Sequence, residues 1–125
     1  MIIGRNAYPN NWKKECYIVS KIQIKNDEEG NEIVEYDKPS KYLFNYQPVN
    51  SNAEIVEFGE RANMMKKAVI PISYKNKFKE FDLAYLDGAN PQNEINNGDN
   101  ANYRLLPPRN GNAVIIIYFE KIAGK

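Results

Sequence analysis

The residues of this 125-residue chain that could do chemistry are mainly its carboxylates. Glu54, Glu57 and Glu60 follow one another at the start of a predicted helix, where negative charge suits the positive end of the helix dipole. Glutamates in this pattern usually form a solvated helix face, and we interpret these three in that way. A glycosidase-type pair of carboxylates stays open as the enzymatic alternative, but nothing in the sequence selects one.

A second set of acids, Asp87, Glu94 and Asp99, lies in an asparagine-rich segment. Carboxylates in a loop can ligate calcium. These three lack the Asp-x-Asn-x-Asp-Gly order of a calcium-binding loop, so the sequence does not favour a metal site here.

Other catalytic chemistry is poorly supported. The chain has no histidine, which is the commonest general base and metal ligand, and it has one cysteine, Cys16. Its seven glycines are too far apart to form a phosphate-binding loop. Cys16 lies in a strand-like run and is predicted to be a small core residue. We therefore expect no catalytic residue, no cofactor and no metal.

Tyrosines beside lysines offer a nucleic-acid alternative, because small β-barrels bind single strands with aromatic platforms and basic grooves. The competing interpretation is that the tyrosines are half-buried strand residues and the lysines blunt sheet edges. The sequence favours this second interpretation. The residues in question are Tyr42, Tyr46, Tyr74, Tyr103, Lys41, Lys66, Lys67, Lys75 and Lys77.

Length and charge limit the function classes. A chain of 125 residues fits one domain, and its formal net charge of +1 does not favour general nucleic-acid binding. The N-terminus lacks the pattern of a signal peptide, and no apolar run is long enough to span a bilayer. One cysteine excludes an intrachain disulfide.

Alternating apolar residues predict short strands throughout the chain. Residues 113–119 are apolar on both faces and should form the central strand. Pro71 lacks a ladder donor, so its strand should be an edge strand or carry a bulge. Asn110-Gly111 predicts a two-residue hairpin turn. The predicted strands are residues 15–25, 32–36, 41–47, 67–74, 82–86, 103–106 and 113–119.

One segment has helical character. Ser51 and Glu54 match a capping box, and the apolar positions from Ile55 to Met65 recur at helical spacing. Gly59 is predicted to weaken or break this helix. Residues 87–102 are predicted to form a long exposed loop, and residues 1–11 an N-terminal arm.

These elements predict a mainly β protein, a small antiparallel β-barrel or sandwich of six to eight strands with one short helix around residues 52–65. The single β domain should span residues 12–125.

The order of elements across roughly residues 15–122 resembles the small head–tail joining proteins of tailed bacteriophages, which are head-closure or connector adaptors. The resemblance is one of layout, and its motifs are short. It is carried by Asp27-Glu28-Glu29-Gly30, by residues 47–54, by Glu57-Phe58-Gly59, by the strand ending at Tyr74, by residues 82–88, by Asn102-Tyr103-Arg104-Leu105, and by residues 115–122.

This resemblance implies a structural virion protein of the phage neck, made in the bacterial host cytoplasm. Such proteins form rings, usually of six or twelve copies. They contact the portal or adaptor protein above and the tail-completion or tail-tube protein below, and they help retain the packaged DNA that passes through the channel. A tail-completion or tail-terminator ring is the nearest alternative. A single-stranded nucleic-acid-binding module is the alternative from another class.

The resemblance also suggests three candidate contact segments. The candidate assembly or channel segment contains Ser51, Glu54, Glu57, Phe58, Arg61, Met64 and Met65. The candidate docking loop contains Asp87, Asn90, Glu94, Asn97 and Asp99. The candidate N-terminal arm contains Ile2, Ile3, Tyr8 and Trp12.

Overall fold

The computed structural model describes residues 13–26, 28–91 and 97–124. The described chain is mainly β, with an antiparallel sheet that curls into a half-barrel and a single short helix, which confirms the predicted fold class. Eight of the strands have at least three residues, and β5 and β9 have two each. The elements are β1 Lys14–Val19, β2 Lys21–Asn26, β3 Glu32–Tyr36, β4 Ser40–Phe44, β5 Gln47–Pro48, α1 Asn52–Phe58, β6 Met65–Pro71, β7 Leu83–Tyr85, β8 Tyr103–Leu105, β9 Arg109–Asn110 and β10 Val114–Lys121.

The main sheet has the order β4-β1-β7-β8-β10-β6-β5, with β9 paired to β10, and β2 and β3 form a separate hairpin. The predicted central strand is confirmed, because β10 pairs with β6, β8 and β9. The curl of the sheet brings β4 close to β6. The sheet thus wraps around one main core.

The predicted strand at residues 15–25 is two strands. β1 belongs to the main sheet and β2 to the hairpin, with a break at Ser20. The reason is the buried carboxylate of Asp82, which accepts hydrogen bonds from the backbone N–H of Lys21 at 3.1 Å and of Lys79 at 2.9 Å. These bonds take the Lys21 N–H out of the main ladder, so the chain leaves the sheet at this point.

The sequence predicts that the strand containing Pro71 is an edge strand or carries a bulge; it carries no bulge, and it is an edge only in its second half. β6 lies between β10 and β5, and it ends at Pro71. Pro71 fits because β5 pairs only with Lys66 and Lys67 of β6, so no neighbour needs a donor from residue 71 on that side. A 3-10 helix at Ile72–Tyr74 replaces the end of the predicted strand.

The two faces of β10 serve two different cores. Ile115, Ile117 and Phe119 belong to the main core inside the half-barrel. Ile116 and Tyr118 point to the outer face of the sheet. There they pack in the helix-side cluster, which contains Val49, Ala62, Met65 and Tyr118 with Phe58, Leu106 and Ile116 around them. Cys16 is buried in the main core, as predicted, and burial raises the pKa of its thiol to about 12.

The hairpin predicted at Asn110-Gly111 forms, but its turn is shifted. Asn110 pairs with Ile115, and the Gly111 N–H donates to the Val114 carbonyl at 2.8 Å. The turn residues are therefore Asn112 and Ala113. Gly111 has no positive φ among the backbone angles of the described residues, so it is not used for its conformational freedom.

The described parts of the 87–102 segment form no helix or strand and are mostly exposed, as predicted, but the loop is anchored at several points. Asn102 closes its base, because its side-chain amide donates to the Leu86 carbonyl and accepts from the Leu86 N–H, both at 2.9 Å. Ala101 is buried beside Tyr85 in a third apolar cluster. The Gly98 N–H donates to the Tyr85 hydroxyl at 3.0 Å.

Gly98→Ala is expected to lower the free energy of unfolding by about 2 kcal/mol. Gly98 has φ +93°, and an added Cβ would lie 2.9 Å from Cδ1 of Leu83. Gly30→Ala is the control: Gly30 has φ +86° but open space around it, so only backbone strain of about 1 kcal/mol is expected. Urea unfolding measures both, and equal losses would contradict the close approach to Leu83.

Candidate functional site

The candidate assembly segment begins with the predicted cap. The Glu54 N–H donates to the Ser51 Oγ at 3.2 Å, and the Ser51 hydroxyl donates to Glu54 Oε1 at 2.7 Å. The helix α1 ends at Gly59, whose φ of 62° suits glycine, and a 3-10 helix continues over Gly59–Met64. The predicted break at Gly59 is therefore confirmed, with the chain still helical beyond it.

Glu54 ties this segment to the sheet. Its carboxylate is 7% exposed, accepts a hydrogen bond of 2.5 Å from the Tyr118 hydroxyl, and lies 2.9 Å from Lys67 Nζ. Burial alone would raise the pKa of Glu54, but hydrogen bonds from Tyr118, Ser51 and Lys67 lower it to about 2. The prediction that Glu54 belongs to a solvated face is wrong, because two strands supply partners that hold its charge inside.

A second buried carboxylate, Glu120, fixes the end of the segment. It lies 2.7 Å from Arg61 Nε and 3.0 Å from Arg104 Nη2. The Arg61 hydrogen bond lowers the pKa of Glu120 against the effect of burial, and Arg104 lowers it further. Glu120 therefore links the 3-10 helix to β8 and β10 through charged hydrogen bonds.

Arg109, on β9, also holds α1 against the sheet. Its guanidinium lies 4.9 Å from the ring centroid of Tyr118 and 5.5 Å from that of Phe58. It also donates to both carboxylate oxygens of Glu57, and this hydrogen bonding lowers the pKa of Glu57. A fork of this kind combines charge pairing with stacking on aromatic rings, so it orients the helix as well as attracting it.

The polarity of α1 is reversed relative to an ordinary surface helix. Glu54 faces the sheet, while Ile55 is 47% exposed and Val56 is 85% exposed. The sequence pattern predicts Ile55 on the buried face with Phe58, and that prediction is wrong. Further along the segment, Met64 is 49% exposed, while Ala62 and Met65 are buried as the helical spacing predicts.

We call Ile55 and Val56, which are consecutive residues of α1, the exposed apolar surface. A surface helix normally turns its apolar residues inward. Here the inward positions are held by the ion pairs and rings described above, so the apolar residues remain on the outside of a well-anchored segment.

The candidate docking loop is only partly brought together. Asp87 lies 3.6 Å from Lys66 Nζ, accepts a hydrogen bond from the Tyr103 hydroxyl at 3.1 Å and donates its N–H to the Tyr46 hydroxyl. Asn97 donates to the Tyr36 carbonyl at 3.3 Å, on a different part of the surface.

Other predicted contact residues form no common site. Asn90 and Asp99 are exposed. Glu94 lies outside the described residues, as do Ile2, Ile3, Tyr8 and Trp12 of the predicted N-terminal arm.

The tyrosine and lysine set divides into two groups. Tyr46 and Tyr103 are buried, at 2% and 4% exposure, so neither offers a ring to a ligand. Lys66 and Lys67 are paired with Asp87 and Glu54, respectively. The other five lie together: Tyr42, Tyr74 and Lys41 line the same cavity, Lys77 lies over the Tyr42 ring, and Lys75 is exposed next to Tyr74 in the chain.

Several residues that anchor the candidate assembly segment to the sheet were not predicted from the sequence. Tyr118 lies in an apolar strand, and Lys67, Arg104 and Arg109 are single charges with no motif around them. Glu120 could have been noticed in the sequence, because it is the first charged residue after the uncharged apolar run at residues 113–119. The partners of Glu54 and Glu120 come from chain positions up to 64 residues away, which periodicity cannot reveal.

Three further observations concern the chain as a whole. In the described ranges, no helix is long and apolar enough to cross a membrane. The same residues contain no group of three or more acidic or cysteine side chains suited to hold a metal ion. No protein-family model, curated protein sequence or solved structure matches the chain.

Proposed function

We propose that this chain is a structural subunit of a tailed-bacteriophage neck, a head-closure or connector protein that assembles into a ring between portal and tail. The observation that carries the proposal is the exposed apolar surface on a segment that is anchored from beneath by two buried carboxylates. The layout resemblance to head–tail joining proteins supports the location in a virion.

The exposed apolar surface supports an assembly role because apolar side chains grouped on one surface mark contacts with other proteins. Val56, at 85% exposure, is the most exposed large apolar side chain among the described residues. Burying such side chains against a neighbour releases them from water, at roughly 25 cal/mol for each Å² of apolar area. The anchoring contacts keep the segment ordered before assembly, which lowers the entropic cost of binding.

A ring needs a second, different surface on the same subunit, because head-to-tail contacts join unlike patches. β4 offers one. Among the described strands it pairs only with β1, so its outer edge has free backbone groups, and Leu43 on it is 55% exposed. In the proposed ring, the exposed apolar surface of one copy faces the β4 edge of the next, and closure protects that edge.

The same ring would contact the portal or adaptor protein on one side, the tail-completion or tail-tube protein on the other, and packaged DNA in its channel. A tail-completion or tail-terminator ring would use the same kind of surface. The two are distinguished by position on the particle.

Val56→Glu tests the proposal, with Val114→Glu as a matched control. Val114 is also an exposed valine, at 40%, but it lies at the start of β10 and not on α1. The proposal predicts that Val56→Glu abolishes incorporation into phage particles and leaves tail-less heads, while Val114→Glu is incorporated normally. Both variants should keep the wild-type Tm, because neither side chain is in a core.

Electron microscopy of assembled particles gives the readout. A ring of this chain on the axis between portal and tail is the expected result, and a ring at the tail end would instead identify a tail terminator. Absence of the chain from particles, or equal incorporation of both variants, would overturn the proposal.

A further inference from the structure

A shallow surface cavity of about 380 Å³ lies beside the outer strand β4 and is lined by Lys41, Tyr42, Leu43 and Tyr74. Tyr42 comes from β4 and Tyr74 from the 3-10 helix Ile72–Tyr74, so the cavity joins two parts of the chain. Both tyrosines are half-buried. We call this cavity and the adjoining turn at residues 75–79 the aromatic groove.

The rings in the aromatic groove are held in place from below. Tyr42 stacks on Phe44, with centroids 5.2 Å apart and planes at 15°, and Tyr74 stacks on Phe78, at 5.9 Å and 20°. Both phenylalanines are 5% exposed. Tyr42 and Tyr74 meet edge to face at 6.2 Å. The two tyrosines therefore present fixed ring surfaces at the mouth of a packed aromatic cluster.

Positive charge surrounds these rings. Lys77 Nζ lies 5.8 Å from the centroid of Tyr42, and Lys75, Lys77 and Lys79 are all exposed in the following turn. Lys41 pairs with Glu15 at 3.0 Å. Within the part of the chain that the structure describes, no carboxylate lies within ion-pair distance of Lys75, Lys77 or Lys79. The acids next to the turn are the exposed Glu80 and the buried Asp82, whose carboxylate accepts a hydrogen bond from the Lys79 backbone N–H at 2.9 Å.

We propose that the aromatic groove binds single-stranded nucleic acid. Bases stack on the exposed parts of Tyr42 and Tyr74, and the phosphates contact the three lysines of the turn. Stacking tolerates any base, because every base has a π-face, so the groove should have little sequence preference. A duplex keeps its bases stacked on each other and cannot use the tyrosines. Lys41, Tyr42 and Leu43 of the groove lie on β4, whose edge the proposed ring would cover, so this binding is expected of the unassembled chain.

Comparison with a second lysine-containing cavity shows why we expect binding at the aromatic groove, although the net charge of the chain is only +1. At the other end of β10, a cavity of about 510 Å³ contains Lys66 and Lys121, but there Lys66 is paired with Asp87 and Tyr103 is buried. The Ile72 N–H, next to the groove, donates to the Ala113 carbonyl just before β10, and Lys121 lies at the far end of this strand, which is about 23 Å long. The second cavity therefore serves as an internal control.

The test is fluorescence anisotropy of a labelled oligothymidylate of about ten nucleotides with the full chain. Binding should weaken about 20-fold between 50 and 200 mM salt if three phosphates are contacted. Lys75→Gln/Lys77→Gln should weaken binding at least tenfold at low salt and reduce the salt slope by about 1.4. Lys66→Gln/Lys121→Gln removes the same charge at the other cavity and should leave binding unchanged.

Tyr42→Leu separates stacking from charge. It should weaken binding about tenfold with an unchanged salt slope. The exposed lysine variants keep the proposal testable even if Tyr42→Leu disturbs the aromatic cluster. Three results would each overturn the proposal: no binding at low salt, equal weakening by the two double-lysine variants, or duplex DNA bound as tightly as the single strand.

Discussion

Ile117→Ala is expected to lower the free energy of unfolding by about 4 kcal/mol. Ile117 is fully buried at the middle of β10, where it pairs with Ala68 of β6 in the main core. The substitution removes three buried carbon atoms and leaves a cavity that the surrounding sheet cannot fill, because β10 has neighbours on both sides. Equilibrium unfolding in urea, followed by circular dichroism, measures the loss.

Ile116→Ala is the matched control, since it changes the same residue type one position away on the opposite face. Ile116 is half-buried against the helix-side cluster, so a loss of about 2 kcal/mol is expected. Losses of equal size, or a larger loss at Ile116, would contradict the assignment of the main core to the Ile117 face.

Glu54→Ala is expected to cost about 3 kcal/mol at neutral pH. It leaves the buried Tyr118 hydroxyl without its acceptor, removes the partner of Lys67 and takes away half of the Ser51 cap. Glu57→Ala is the control on the same helix. Glu57 is exposed and pairs only with Arg109 on the surface, so its loss should be much smaller. Equal losses of unfolding free energy in the two variants would contradict the larger contribution that we assign to the buried Glu54 carboxylate.

The pH dependence of stability provides an independent readout for Glu54. Its pKa in the folded chain is about 2, below the ordinary value of 4.5, so its contribution is present above pH 4.5 and is lost as the pH falls toward 2. Wild-type stability should therefore decline over this range more steeply than that of Glu54→Ala. Tyr118 acts in the opposite direction: its pKa is raised to about 12 by burial and by Glu54, so its contribution is present below pH 10 and is lost as the pH rises toward 12.

The pKa values of Glu54 and Tyr118 set the pH range over which the orientation of α1 needed for the proposed assembly is maintained. Between them, Glu54 is charged and Tyr118 is protonated, which is the combination that holds α1 with its apolar side outward. The exposed apolar surface should therefore be preserved over the whole neutral range. Loss of particle incorporation by Val56→Glu at neutral pH would then reflect the contact itself and not a displaced helix.

Much of the fold was predictable from local patterns. Alternation of apolar residues identified the strands, and the buried run at residues 113–119 identified the centre of the sheet, because only a strand covered on both faces is apolar on both faces. The N-cap at Ser51 and the break at Gly59 also formed as predicted, whereas the Glu54 carboxylate bonds to the Ser51 hydroxyl and not to a backbone N–H as a capping box requires. These features depend on neighbouring residues, so the sequence contains the information that decides them.

The site was less predictable, and α1 shows why. Helical spacing grouped Ile55 with Phe58 on one face and assigned Glu54 to solvent. The face toward the sheet was chosen instead by Tyr118 and Lys67, which pair with Glu54 from β10 and β6. A charged group can be buried when it is fully hydrogen-bonded, and that condition depends on strands far along the chain.

By itself, the sequence determined the strand-forming segments, the helix start and the burial of Cys16, because each depends on residue type and nearest neighbours. The tertiary structure decided which face of α1 meets the sheet, why the chain leaves the main sheet at Ser20, and which tyrosines stay half-buried at the surface. Those outcomes depend on distant partners, such as Asp82 for Lys21 and Phe78 for Tyr42, that meet only in the folded chain. A local sequence pattern cannot predict a contact between two residues that only folding brings together.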